Sequence, residues 1–341
     1  MTATEKWYEK SGEQGDVVIS SRIRLARNLK NYPFPHLLSV QQKTEIAMKV
    51  KEALEQSNSY IAKEFQFISM SELSVAQTGS LMERHIISPE FANDRKGKYL
   101  LLTKDETVSI MINEEDHLRI QVLTEGLSLD KAYETADKID TLLDNALGFA
   151  FHDKLGYLTQ CPTNIGTGLR ASVMLHLPSL QSSKIVERLK DNLSKIGLTL
   201  RGTFGEGTQA LGGMYQLSNQ VTLGISEETA IENLKNVAMQ VIDNERTVRS
   251  QFCKKIETQD YIMRCLGTLK YAVLMSNQES MKLLSAVRMG INEKLIEEDI
   301  AKVTKLMIIL QPYTLIKNAE KELSPTQRDL LRAKILKETL T

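Results

Sequence analysis

Apolar and polar positions follow two different periods along the chain. Val17 to Asn28 (VVISSRIRLARN) alternates strictly through Arg22, Ile23, Arg24 and Leu25, which predicts a strand with two arginines on one face and aliphatic side chains on the other. Residues 41–57 (QQKTEIAMKVKEALEQS) place apolar residues at helical spacing among good helix formers. Strand-like runs are expected at 65–68, 99–103 and 108–113, and helices at 127–145 and 183–196. Between those helices lies the Gly-rich stretch TQCPTNIGTGLRASVMLHLP, expected to be irregular; a second, RGTFGEGTQALGG, precedes the strand-like YQLSNQVTLGI. From Glu227 onward glycine becomes rare and helical periodicity continues to the end, interrupted near Asn277 and Pro312. Ser324, Pro325 and Gln327 give the last helix an N-cap, a proline at its first position and a capping-box glutamine. These textures predict an α+β domain over residues 16–250, after a polar lead-in of residues 1–15, and a helical domain over 251–341.

Charge changes the picture in one respect. The chain has 341 residues with 43 basic and 43 acidic side chains, so a general nucleic-acid surface is not favoured and each local basic cluster needs its own explanation. Cys161, Cys253 and Cys265 have neither CxxC spacing nor an even count, which argues against a disulfide framework or a zinc knuckle. The polar start and the lack of a long apolar run predict a soluble protein of a reducing compartment, cytoplasmic and without a signal peptide or membrane span.

Four stretches then stand out. SSRIRLARN carries Arg22 and Arg24; NEEDHLRIQ carries Glu114, Glu115, Asp116, His117 and Arg119; CPTNIGTGLRAS carries Cys161 and Arg170; RGTFGEG carries Arg201 and Glu206. Each alone has an ordinary reading as a solvated strand face, an acidic turn or a small buried thiol. Gly166 to Ala171 also fits the GxGxxG/A dinucleotide fingerprint, with Glu187 near the distance of a ribose acid. A Cys-Pro-Thr-Asn turn leads into it where a strand is required, so that reading fails, and no P-loop motif is present. Taken together, five arginines (Arg22, Arg24, Arg119, Arg170, Arg201) can form a guanidinium cage for a polyphosphate, while Glu114, Glu115 and Glu206 face a cationic second substrate. Phosphoryl transfer requires that division between charge stabilisation and positioning.

In this order, SSRIRLARN, NEEDHLR, CPTNIGTGLRASV and RGTFGEGTQALGGMYQLSN resemble the ATP:guanidino phosphotransferase family, which includes arginine and creatine kinases; the resemblance spans roughly Asp16 to Arg246. It implies a large, mainly antiparallel sheet flanked by helices, ATP with Mg²⁺ as donor, and a guanidinium acceptor. Carried over by position, it implies nucleotide contacts at Ser20, Ser21, Arg22, Ile23, Arg24, His85, Arg119, Arg170, Ala171, Ser172, Val173, Met174, Arg201, Gly202, Thr203, Phe204, Gly205 and Glu206. It implies paired acids at Glu115 and Glu206, with Glu114 shaping the pocket, and a reactive cysteine at Cys161. The SxRxR motif begins at Ser20, leaving no residues for the helical lobe that precedes it in metabolite kinases, and Phe204 and Gly207 replace residues typical of arginine kinases. Those departures resemble the bacterial protein-arginine kinases of the McsB type. That branch implies modification of protein arginines as a mark for the Clp protease system, action on a stress-response repressor, a zinc-containing activator (McsA) and a homodimer. It also implies a phosphoarginine-sensing site at Arg328, Asp329, Arg332 and Ala333. A kinase for free arginine or another small guanidino compound, and a non-catalytic phosphoarginine-binding adaptor, remain alternatives at this point.

Overall fold

The computed structural model describes residues 5–57, 59–203 and 210–340. Among them, ten strands and twelve helices follow one another as β1 (Val18–Arg27), α1 (Val40–Glu55), β2 (Phe65–Ser69), α2 (Val75–Glu83), α3 (Pro89–Asn93), β3 (Tyr99–Thr103), β4 (Val108–Ile112), β5 (Leu118–Glu125), α4 (Leu129–Leu147), β6 (Phe151–His152), β7 (Gly156–Tyr157), β8 (Leu169–His176), α5 (Pro178–Ser182), α6 (Ile185–Lys195), β9 (Leu198–Gly202) and β10 (Met214–Asn219). Six helices complete the chain: α7 (Glu227–Cys253), α8 (Ile256–Tyr271), α9 (Asn277–Asn292), α10 (Ile300–Ile309), α11 (Pro312–Ala319) and α12 (Pro325–Thr339).

Eight strands form one antiparallel sheet in the order β2-β3-β4-β5-β1-β8-β10-β9. The arginine strand β1 is therefore central, paired on both sides. The alternation expected there is present: Ile23 and Leu25 are buried, while Arg22 and Arg24 keep part of their surface open. One face of the sheet buries Ile23, Leu25, Ile110, Ile120, Leu169, Ala171 and Val173 against α1, α4 and α7. Helix α4 shows why: Leu129, Ala132, Ala136, Ile139 and Leu143 recur every three or four residues and make one buried stripe. The other face packs Leu100, Leu102, Met111, Leu123, Met174 and Met214 against α2, α3 and α8–α12. The C-terminal helices thus lie on the same side of the sheet as the arginines.

The structure departs from the sequence reading at three strands. LRASVMLH, expected to be irregular, is β8, the neighbour of β1; LRIQVLTE is β5, on its other side; LTLRG is β9 at the edge. Buried on both faces, β8 carries no clean hydrophobic alternation to announce it. Helix α7 runs through the boundary placed at 250/251, and the chain leaves helical geometry at Lys255, which is extended. The capping box of α12 forms as expected, Ser324 accepting from the Gln327 amide and Gln327 returning the bond.

Candidate active site

Register, more than sequence proximity, assembles the site. Arg24 lies opposite Arg170 on β8, Ala26 opposite Arg119 on β5, and Arg22 opposite Ser172; at the far edge Arg201 pairs with Gln216. Four of the stretches singled out in the sequence therefore meet on one sheet face. Arg22 donates to Ser172 Oγ (3.3 Å) and Gln216 Oε1 (2.5 Å), both neutral, so these bonds orient the guanidinium without cancelling its charge.

Two cavities adjoin on this face. One, of about 560 Å³, is lined by Glu90, Lys98, Glu114, Glu115, Gln160, Cys161, Thr163 and Asn164 among others. The second, of about 780 Å³, is lined by Arg22, His85, Arg201, Gly202, Thr203, Gln311 and Tyr313 among others. Arg24, Glu90, Arg119 and Arg170 line both. Three arginines thus stand where the contents of the two cavities would meet.

Their electrostatics call for an anion. Burial and the like charges of Arg119 and Arg170 lower the Arg22 pKa to about 10, and burial together with Arg22, Arg119 and Arg170 brings Arg24 well below its ordinary value. Arg170 is lowered by burial and by Arg201 and Arg119. Arg24 Nε finds no hydrogen-bond partner among the described residues. A recessed cluster of cations that repel one another is stabilised by a polyanion. His85 is held neutral, its pKa pushed down to about 3 by burial and by Arg22.

The acids divide their work. Glu114 is paired to Arg119 (2.7 Å) and accepts from Ser88 Oγ, which places it as the support of that arginine. Glu115 is more open: it meets Arg119 at 3.3 Å and Asn164 Nδ2 at 3.4 Å, and burial raises its pKa although Arg119 pulls the other way. Asp116 is committed elsewhere, accepting from Asn28 Nδ2 (2.6 Å) and the Gln160 amide (2.7 Å), and so ties the Cys161 loop to the sheet. His117 likewise bridges the Leu29 amide and the Pro33 carbonyl. Cys161 lines the smaller cavity with its Sγ 3.1 Å from Thr163 Oγ1.

Several residues expected at the nucleotide are not brought to the cavities. Ile23, Ala171 and Val173 point into the opposite core, and Ser21 accepts the Ser128 amide and donates to the Gly126 carbonyl on that side. The period of two in β1 and β8 sends every second residue of these motifs away from the ligand face. Ser20, Ser172 and Met174 are buried on the arginine face, Ser172 as the partner of Arg22. Phe204, Gly205 and Glu206 lie outside the described residues. Arg27 is a structural residue: fully buried, it contacts Asp140 (2.9 Å) and Glu227 (3.3 Å) and covers the Tyr157 ring at 3.5 Å. The false fingerprint at Gly166 runs into a strand; a Cβ on Gly168, where φ is +61°, would sit 2.7 Å from the Ala26 carbonyl. The sequence reading missed Glu90, Lys98, Gln121, Asn164, Gln311 and Tyr313. Gln121 could have been found, being two residues from Arg119 on the same strand face. Its amide donates to the His85 and Ile86 carbonyls (both 3.0 Å) and fixes the turn in which His85 adopts φ +61°.

Residues 45–248 match the family described as ATP:guanido phosphotransferase, C-terminal catalytic domain, and residues 255–341 match the protein-arginine kinase McsB C-terminal domain. The chain belongs to the ATP:guanido phosphotransferase family. Among similar proteins, the protein-arginine kinase of Halothermothrix orenii is 44% identical over 98% of this chain and 96% of its own. That of Caldanaerobacter subterraneus subsp. tengcongensis is 45% identical over 93% of this chain and 95% of its own. A duplicated taurocyamine kinase from Schistosoma mansoni with bound transition state analog components shares the fold at TM-score 0.63 and 26% identity, over 79% of this chain and 39% of that one. Lombricine kinase shares it at TM-score 0.60 and 23% identity, over 74% of this chain and 70% of that one. In this family ATP is the phosphoryl donor, and the arginine-lined cavity has the charge to receive it. Among the described residues no group of three or more His, Cys, Asp or Glu could hold a metal, and no helix is long and apolar enough to cross a membrane.

Proposed function

We propose that this enzyme transfers the γ-phosphoryl group of ATP to a guanidinium nitrogen of arginine side chains in proteins. The observation that carries the reading is the sharing of Arg24, Arg119 and Arg170 between a cationic cavity and a smaller one that adds Glu114 and Glu115. The nucleotide would fill the larger cavity with its phosphates on the arginines, and the target guanidinium would enter the smaller one beside Glu115. Relatives named protein-arginine kinase over nearly the full length, and the match of 255–341 to the McsB C-terminal domain, support a protein-borne acceptor.

Arginine has a pKa of about 13.8, so its neutral form is scarce at pH 7. A carboxylate beside the guanidinium favours the cation; its first task is alignment. As the N–P bond forms and the bond from the γ-phosphorus to the bridging oxygen breaks, that nitrogen becomes acidic and Glu115 takes its proton while ADP leaves. Arg119, oriented by Glu114, and Arg24 and Arg170 then stabilise charge on the transferring group. Glu206 would be the second aligning acid and Cys161 a polar neighbour of the acceptor. Mg²⁺, when bound with the nucleotide, would neutralise phosphate charge, and since no acid cluster among the described residues could hold it alone, the nucleotide itself would have to supply part of its binding.

The wider role proposed is that of a cytoplasmic stress-response enzyme whose phosphoarginine marks feed Clp-dependent degradation. It would act with McsA on a stress-response repressor, as a dimer through residues 251–341, beside a catalytic domain of residues 16–250. Phosphoarginine sensing would fall mainly to Arg328, because Arg332 is buried and already donates to the Leu310 (3.0 Å) and Met275 (2.7 Å) carbonyls and to Asp329 (2.7 Å). Ala333 packs in the core beneath it. Arg332 would bind phosphate only by releasing those partners.

The test is incubation with Mg-ATP and either a protein substrate or free arginine, followed by detection of acid-labile phosphate on each. Phosphate on protein arginines is expected. Modification of free arginine alone makes the enzyme a small-guanidine kinase, and modification of neither leaves a binding module.

A further inference from the structure

The matched catalytic domain ends at residue 248, yet two residues of the C-terminal helices, Gln311 and Tyr313, line the cationic cavity. We propose that Tyr313, at the start of α11, is a nucleoside-binding residue, so that the C-terminal helical region supplies one wall of the ATP site. This inference rests on the reading of that cavity as the nucleotide's.

The first support is the direction in which ATP must lie. The γ-phosphoryl has to reach the arginines shared with the smaller cavity, because on that reading the acceptor enters there. The nucleoside therefore extends into the part of the larger cavity that the smaller one does not share. The walls found there and not in the smaller cavity include Met82, Ile87, Met111 and Tyr313. These are the apolar and aromatic surfaces a purine ring takes, and Tyr313 both lines this cavity and is 38% exposed.

The second support is that Tyr313 is held in place from the catalytic side. Glu83, at the end of α2, accepts the Tyr313 amide (2.9 Å), the Thr314 amide (2.7 Å) and the Thr314 hydroxyl (2.8 Å). Ser80 Oγ adds a bond to Thr314 Oγ1 at 3.1 Å. One helix end is thereby capped by the carboxylate of another, and burial raises the pKa of that carboxylate while the three donors oppose the shift. The fit is close: a Cβ placed on Gly79 would lie 2.4 Å from Tyr313 Cγ, so α2 can approach the ring because it carries a glycine there. From the other flank Gln311 donates to the Met307 carbonyl (2.9 Å) and accepts from Asn277 (3.1 Å). These bonds fix the backbone on both sides of Tyr313, and the packing against Gly79 sets where its ring can lie. Glu83 is accordingly a positioning residue and Tyr313 a ligand contact.

The experiment compares binding of ATP and of inorganic tripolyphosphate to the full chain, wild type and Tyr313→Ala. Loss of one aromatic contact is worth about 0.5–1.5 kcal/mol, so ATP should bind about 2- to 13-fold more weakly while tripolyphosphate is unaffected. Equal weakening of both ligands, or no change in ATP affinity, overturns the proposal. Failure of wild-type protein to bind either ligand overturns the nucleotide reading instead. Because Tyr313→Ala also removes packing on α2, nitration of wild-type Tyr313 by tetranitromethane gives a second measurement that needs no variant. ATP should protect the ring and tripolyphosphate should not; equal nitration with and without ATP refutes the contact.

Discussion

Arg24 offers a direct test of the cage, because it should cost stability in the free enzyme and supply affinity in the complex. Arg22 and Arg24, two residues apart on one strand and so separated by about 7 Å, repel by about 2.4 kcal/mol at an effective dielectric of about 20. Arg24 faces three such neighbours, Arg22, Arg119 and Arg170, with Glu114 opposing them and burial adding to the cost. Arg24→Met keeps most of the volume and removes the charge. Replacements of buried charge by an apolar side chain of similar volume gain about 1–4 kcal/mol, and with part of Arg24 open to the cavity a gain of about 1–2 kcal/mol is expected. That raises the melting temperature of the free enzyme by about 1–3 °C. With ATP the order reverses. Two charged hydrogen bonds to phosphate are worth about 3–4 kcal/mol together, so affinity should fall about 100-fold or more. An ATP concentration about 100 times the wild-type Kd stabilises the wild type by about 2.7 kcal/mol and the variant by about 0.4 kcal/mol. Thermal melts with and without Mg-ATP read both numbers. A variant that melts lower when free, yet keeps the full ATP shift, would show that Arg24 is a structural residue and that the cage assignment is wrong.

Glu115→Gln should abolish arginine phosphorylation while leaving ATP affinity within about 3-fold, measured by acid-labile phosphate and calorimetry; near-normal turnover removes Glu115 as the base. Because burial raises the Glu115 pKa, the acid limb of kcat should fall above the ordinary glutamate value of about 4.3, activity declining as pH drops through it and the carboxylate is protonated. Arg170→Lys keeps the charge but loses the planar fork, so turnover should drop at least about 10-fold, and unchanged kinetics would argue against bidentate phosphate contact. Arg27→Ala should lower stability by about 3–5 kcal/mol through the uncompensated Asp140 and Glu227, with no separate effect on the KM for ATP in whatever protein remains folded.

The sequence was legible where a local rule decides the outcome. The alternation of Arg22 to Leu25, the period of α4 and the cap at Ser324 each depend on residues within a few positions of one another, and each formed as expected. The strands missed were those whose pairing decides them. β8 is buried on both faces and begins after two glycines, so nothing local separates it from a loop, and its assignment comes from register with β1 and β10. The same limit explains the nucleotide residues carried over as whole motifs. Segments such as Arg170 to Met174 were named entire, but a strand offers only every second side chain to a ligand, and Ala171 and Val173 belong to the core. Arg332 shows a related limit of sequence spacing. Its spacing from Arg328 puts both on one helix face, but spacing does not say whether that face is wet, and Arg332 is spent on the carbonyls of Leu310 and Met275.

The arrangement also explains how a neutral chain builds a strongly cationic site. The charge is not in excess but sorted: β1, β5, β8 and β9 each place an arginine on one sheet face, while many of their carboxylate counterparts lie elsewhere, as Asp16 does with Arg246 and Arg249. Of the acids that do reach the cage, Glu114 is bound to Arg119 and orients it, and Glu115 is left open at the rim of the smaller cavity. A sheet face can hold such a cluster because its backbone hydrogen bonds are complete without the side chains, so repulsion among them is opposed by eight paired strands. The ordering follows from that rigidity: cations that cannot move apart are relieved only by an anion that comes to them, and the acid beside them is the place for the cation that receives its phosphate.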